Sequence, residues 1–235
     1  MPVDEVKTRR PRAKKKLWIL LTVILLVGLS LLFLGTRLRH WVEEKEKTKL
    51  LTLVDREHPV EDDYNVEFTL LGEGQMVDSR CVDDLEAMLE ACRRAGGRPV
   101  VTESFRTWGA QERAYEEALA ELTETGLSRE QAEQRLERMT EQPGFSEHQL
   151  GLAVDLEEQD SELTKEQQAD TATLRWLREN SWRYGFILRY PDNKSEVTGK
   201  AFRPWHYRYV GREAAEQIHE LDLSLEEYIG MFFAS

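Results

Sequence analysis

Cysteine is nearly absent from this chain of 235 residues: there are two, Cys81 and Cys92. That excludes a cysteine-ligated zinc ribbon and allows one disulfide at most. If both lay on one straight helix they would stand roughly 16 Å apart, beyond bonding reach, so a bridge needs Cys81 to sit before the helix start. The other reading, two unpaired core thiols, stands beside it. Positive charge is equally short in most of the chain. Formal net charge is -12, yet residues 1–16 hold seven Lys/Arg against Asp4 and Glu5, so everything after them carries -17. A body that acidic is not built to neutralise phosphates, which argues against a nucleic-acid partner. There is no internal repeat and no low-complexity tract. With 40% hydrophobic and 32% charged residues the chain is neither a disordered tail nor a multispan membrane protein.

One long apolar run is present. Leu17 to Gly35, LWILLTVILLVGLSLLFLG, contains no charge. As a helix it spans roughly 28 Å, about the thickness of a bilayer core. Basic residues precede it, and Trp18 and Trp41 lie near its ends, where amphipathic rings favour the interface. No Ala-x-Ala cleavage site follows, and the run is longer than the apolar region of a signal peptide. The sequence thus predicts a cytoplasmic basic segment (1–16), a transmembrane anchor (17–35) without a GxxxG pairing face, an extracellular stalk (36–60) and one folded domain (61–235). The basic flank places the domain outside the plasma membrane, where a disulfide is permitted.

Within the domain, helices and strands mix without βαβ alternation. Asp83 can cap a helix to about Arg94, stopped by Gly96-Gly97. Pro99–Glu103 reads as a buried strand. Residues 109–125 are helical, and Ser128 with Gln131 forms a capping box for the next helix. Leu152–Leu156 reads as a strand, 171–183 as a helix, and 186–190 and 205–210 as strands. Residues 212–220 form an amphipathic helix, and Ser224 with Glu227 caps a last short one. The pattern predicts an α+β domain, a small antiparallel sheet flanked by helices.

Histidine is scarce, five residues in all. His40 lies beside the apolar run, His58 precedes Pro59, and His219 has no HExxH pattern around it; these read as surface residues. His148 and His206 differ. His148 follows a glycine turn and precedes an apolar strand carrying one carboxylate, Asp155. His206 lies on the aromatic stretch Trp205-His-Tyr-Arg-Tyr. Two imidazoles and a carboxylate make an open three-ligand zinc set, in which the ion brings a water's pKa towards about 7 and polarises a carbonyl. Spacing alone leaves the alternative that both imidazoles merely pack in a core.

Residues 146–156, SEHQLGLAVDL, resemble the SxHxxGxAxD motif of the VanY-type D-alanyl-D-alanine carboxypeptidases, of the lysostaphin/D-Ala-D-Ala peptidase/hedgehog-like fold. PWHYRYVG resembles their second motif, VTESFRT (101–107) their SxYR segment with Phe105 for Tyr, and YGFILRYP (184–191) and LSLEEYIG also match. The resemblance covers roughly residues 50–230. It implies a Zn2+ site made by His148, Asp155 and His206. It implies that Arg106 holds substrate or the oxyanion, that Ser146, Gln111 and Trp205 line the substrate cleft, and that the substrate is a peptidoglycan stem peptide ending in D-Ala-D-Ala.

One position departs from the pattern. The family's second motif reads Glu-Pro-Trp-His, and its Glu moves the proton. Here that position is Arg203, which stays protonated and cannot act as a base. By proximity in sequence, Glu103, Glu147, Glu157 and Glu158 are candidate replacements. The alternatives are a slower or retargeted enzyme, or a domain that binds stem peptides without turnover.

Overall fold

The computed structural model describes residues 21, 25–26, 29–38, 47–61, 64–65 and 67–233. The chain separates into two units, Met1–Lys49 and Leu50–Ser235. Much of the expected anchor, 17–35, and all of segment 1–16 lie outside the described residues; residues 29–38 are helical. Among the described residues no helix is long and apolar enough to cross a membrane. The folded unit begins at Leu50, earlier than the expected boundary at 61. The reason is burial: Leu51 and Val54 are covered by the domain's two apolar clusters.

The domain opens with a short antiparallel hairpin of β1 (Phe68–Leu70) and β2 (Met76–Asp78). Two strands this short around Gly72 and Gly74 leave no readable period in the sequence. Helix α1 (Val82–Arg94) buries Leu85, Met88, Leu89 and Cys92, the i, i+3, i+4, i+7 stripe of an amphipathic helix. Asp83 does not cap it; the N-cap is Cys81, and Asp83 and Asp84 fall in the first turn, where carboxylates suit the helix dipole. Both cysteines are buried and free. Strand β3 (Pro99–Glu103) follows, then α2 (Trp108–Glu124), capped by Thr107, and α3 (Arg129–Leu136), with the expected Ser128/Gln131 capping box. Next come β4 (Ala153–Glu158), α4 (Ala172–Asn180), β5 (Phe186–Leu188), the single turn α5 (Ser195–Thr198) and β6 (His206–Tyr209). Helices α6 (Arg212–Glu220) and α7 (Leu225–Phe232) close the chain, the latter with the Ser224/Glu227 box.

The main sheet runs β3-β4-β6-β5, antiparallel throughout, in keeping with the α+β expectation. Side chains alternate across it. Val154, Leu156, Tyr207 and Tyr209 face a core shared with α1 and with Leu174 and Leu177 of α4. Ala153, Asp155, His206 and Arg208 take the other face. Because the period is two, a one-residue slip would bury the polar set in the apolar core. Burial thus fixes the register, and the register positions the site.

Candidate metal centre

Asp155 and His206 are direct partners across β4 and β6. Cross-strand neighbours have Cβ atoms about 5 Å apart, and here the side chains close the rest: His206 Nδ1 lies 2.9 Å from Asp155 Oδ1. His148 arrives from the 3₁₀ turn Glu147–Leu150 that precedes β4. Its Nδ1 is 2.8 Å from the Ser104 carbonyl. A carbonyl only accepts, so Nδ1 carries the proton and Nε2 keeps its lone pair. That Nε2 is 3.4 Å from Asp155 Oδ1. The turn ends at Gly151 with φ 73°, where an added Cβ would meet Phe68 Cε1 at 2.6 Å and the Asp78 nitrogen at 3.1 Å. Only glycine fits there, and the glycine sets the angle at which the His148 turn enters the strand.

The three ligand atoms lie within 4.8 Å of one another, and all three residues are buried. Donors on a tetrahedron about 2.0–2.1 Å from a zinc ion sit roughly 3.3 Å apart, close to the two distances to Asp155 Oδ1. Two imidazole nitrogens and one carboxylate oxygen are also the donor chemistry of an open zinc site, so the residues fit that ion. Burial alone would raise the Asp155 carboxyl, but His148 and His206 hold it well below the usual carboxylate range. Burial would likewise depress His206, yet Asp155 and Glu147 push its pKa up. Lys165, which no sequence signal marked, places Nζ 3.1 Å from Asp155 Oδ2 and 5.9 Å from the centre of the Trp205 ring.

Arg106 donates through Nη2 to Glu103 Oε2 at 2.6 Å and through Nη1 to Gln111 Oε1 at 3.0 Å. Gln111 is buried and donates to the Glu141 carbonyl at 2.6 Å. These contacts tie β3, α2 and the 137–145 segment together and fix the guanidinium. Ser146 is fully buried, and its hydroxyl has no hydrogen-bond partner. Trp205 is half-buried. Arg203 is buried rather than open to the cleft. Its Nη1 is 2.9 Å from Glu141 Oε1, and its guanidinium lies 4.9 Å from the centre of the Tyr190 ring. Glu141 also meets Lys200 Nζ at 3.2 Å. Burial works against the Glu141 anion, but Arg203 and Lys200 outweigh it and bring its pKa to about 2. Sequence reading missed Glu141, since nothing ties a carboxylate 62 residues away to Arg203.

The four candidate carboxylates separate by position. Glu158 bonds Arg98 and the Thr173 nitrogen, away from the site. Glu157 bonds Thr102 and Gln168 and pairs with Lys165. Glu147 is buried behind His206, between Arg189 and Arg208. Glu103 is the cross-strand partner of Asp155, on the side that carries the ligands. Burial would raise its carboxyl, but Arg106 holds it below the ordinary value.

Comparison with known proteins finds relatives over most of the folded unit. Residues 74–212 match the VanY D-alanyl-D-alanine carboxypeptidase family. A D-alanyl-D-alanine carboxypeptidase of Enterococcus faecalis is 42% identical over 179 residues, 76% of this chain and 65% of the relative. The putative carboxypeptidase YodJ of Bacillus subtilis is 31% identical over 190 residues, 76% of this chain and 66% of the relative. The chain therefore spans just under two thirds of the length of these relatives. Among solved structures, a point mutant of the vancomycin-resistance D,D-pentapeptidase VanY, in complex with Zn(II), superposes with a TM-score of 0.71 at 41% identity, covering 77% of this chain and 99% of that one. VanYB in complex with D-alanine-D-alanine gives 0.72 at 41% identity, covering 77% and 98%.

Proposed function

We propose, from the premise that the chain belongs to the VanY D-alanyl-D-alanine carboxypeptidase family, that it is a zinc-dependent D,D-carboxypeptidase. It removes the terminal D-Ala from peptidoglycan stem peptides. The observation that carries this reading is the convergence of His148, Asp155 and His206 donor atoms within 4.8 Å. Zinc held there supplies Lewis-acid chemistry at a carbonyl and ionises water near neutral pH.

The chain's own residues supply the rest. Arg106, its fork fixed by Glu103 and Gln111, presents a permanent cation to the substrate's terminal carboxylate or to the developing oxyanion. The unpartnered Ser146 hydroxyl bonds the substrate backbone. Glu103 takes the proton from the attacking water and returns it to the leaving amine, the work that Arg203 cannot do. Such acid–base help is worth roughly 10²–10⁴ in rate. The test is release of free D-Ala from a peptide ending in D-Ala-D-Ala by the zinc-loaded chain, against an EDTA-treated control and Glu103→Gln. No release above the control sinks the enzyme reading. Release undiminished in Glu103→Gln removes Glu103 from the mechanism.

A second reading is favoured by one observation, the pairing of Arg203 with Glu141 at the position of the family's catalytic Glu. In that reading the cleft binds stem peptides without cutting them. It predicts saturable binding of the same peptide with no D-Ala released.

For location, the proposal rests on the uncharged run Leu17–Gly35 behind seven basic residues. The run holds the chain in the plasma membrane, residues 1–16 stay cytoplasmic, and the domain meets its substrate at the outer face. Protease added to intact cells should then degrade the domain and spare the N-terminal segment. Full protection of the domain would contradict this topology.

A further inference from the structure

Glu147 follows Ser146 in the first motif and is the candidate base that the structure turns away from the cleft. Its side chain is 1% exposed. Oε1 accepts from Arg189 Nε and from Arg208 Nη1, each at 2.8 Å. Oε2 lies 3.5 Å from His206 Nε2, the ring nitrogen remote from Asp155. With two guanidinium donors on Oε1, Oε2 is left as an acceptor for His206 Nε2–H. Nδ1 is the ring nitrogen that faces Asp155 Oδ1, and so the one that a metal ion shared with Asp155 would take.

The two arginines are themselves balanced. Arg189 gives its remaining donors to Glu226 of α7, at 2.7 and 3.1 Å. Arg208 spends Nη2 on the backbone carbonyls of Leu50 and Thr52, both at 2.9 Å. Two carboxylates and two guanidiniums make a charge-balanced quartet, buried except at its Glu226 end. Its last donors are satisfied by the first residues of the folded unit.

We infer that Glu147 is a positioning residue for the metal centre: it fixes His206 in the Nε2–H tautomer with Nδ1 as the ligand atom, and the Leu50–Thr52 segment completes its shell through Arg208. The inference rests on the zinc reading above and extends it. A carboxylate behind a ligating imidazole orients the ring and raises its basicity, and losing one typically costs about 10–100-fold in metal affinity. The backbone at residues 50–52 thereby belongs to the centre's support, though it touches no ligand.

The experiment is zinc affinity of the full chain, measured by chelator competition, for wild type, Glu147→Gln and Asp84→Asn. Asp84 holds Arg212 and the Tyr209 hydroxyl, so its variant reports the cost of a broken ion pair elsewhere. Glu147→Gln should bind zinc about 10–100-fold more weakly while Asp84→Asn stays within about twofold of wild type. Equal affinities of wild type and a folded Glu147→Gln would overturn the inference while leaving the metal centre standing. A wild type that takes up no zinc would overturn both. Should Glu147→Gln fail to fold, the ¹⁵N histidine spectrum of the zinc-loaded wild type decides. His206 with a protonated Nε2 and a metallated Nδ1 supports the inference, and the reverse assignment refutes it.

Discussion

Asp155 and His206 face one another across β4 and β6, and the imidazole Nδ1 stands 2.9 Å from the carboxylate Oδ1. The sheet alone accounts for two of the three ligands. Asp155→Asn keeps the shape and removes the charge. It should weaken zinc binding by more than the roughly 10–100-fold that an outer partner is worth, with D-Ala release falling in step. Metal analysis after dialysis and a D-Ala assay on the same sample check this.

Arg106 bridges Glu103 and Gln111 with two different nitrogens. A lysine cannot reproduce that fork. Arg106→Lys should lose on the order of 10²–10³ in kcat/KM, nearly as much as Arg106→Ala, with zinc content unchanged. Steady-state kinetics on both variants distinguish this from an ordinary surface ion pair, for which Lys would serve.

The Glu141 carboxyl is brought to about 2 by Arg203 and Lys200. Its folded pKa is below its unfolded value, so the stabilisation is present above about pH 5 and is lost as pH falls toward 2. By linkage it is on the order of 3 kcal/mol. Glu141→Gln should lower stability at pH 7 and flatten the fall between pH 5 and 2, as read by urea melts across that range. Arg203→Glu should destabilise at pH 7 as well, because it sets two buried carboxylates against Lys200. Restoring the family's Glu therefore calls for a simultaneous change at Glu141.

Gly151 combines φ 73° with no room for a Cβ beside Phe68 and the Asp78 nitrogen. Gly151→Ala should cost about 1–3 kcal/mol from backbone strain alone. It should also displace the His148 turn, so zinc affinity should fall with the urea midpoint. An alanine variant of unchanged midpoint would contradict the packing described.

How much of this was legible in the chain depends on range. Local signals worked: the Ser128/Gln131 and Ser224/Glu227 boxes both form, and the apolar alternation around Val154 and Tyr207 marked two strands of the sheet. His148, Asp155 and His206 were legible as a set only through the resemblance of two motifs, because strand pairing over 51 residues leaves no local trace. The partners of Arg203 and Glu147 were not legible. Glu141, Lys200, Arg189 and Arg208 reach their mates only after folding, and a buried charge looks in sequence like any solvated one. The same holds for residues 50–54: their charged surroundings read as a stalk, yet Leu51 and Val54 are core.

The measurement that bears most directly on the whole account is zinc per chain in the purified full-length protein, taken beside His148→Ala and His206→Ala. The account predicts close to one zinc per wild-type chain and almost none in either variant, with the variants still folded. Zinc that is absent from wild type, or retained equally by both variants, would contradict it.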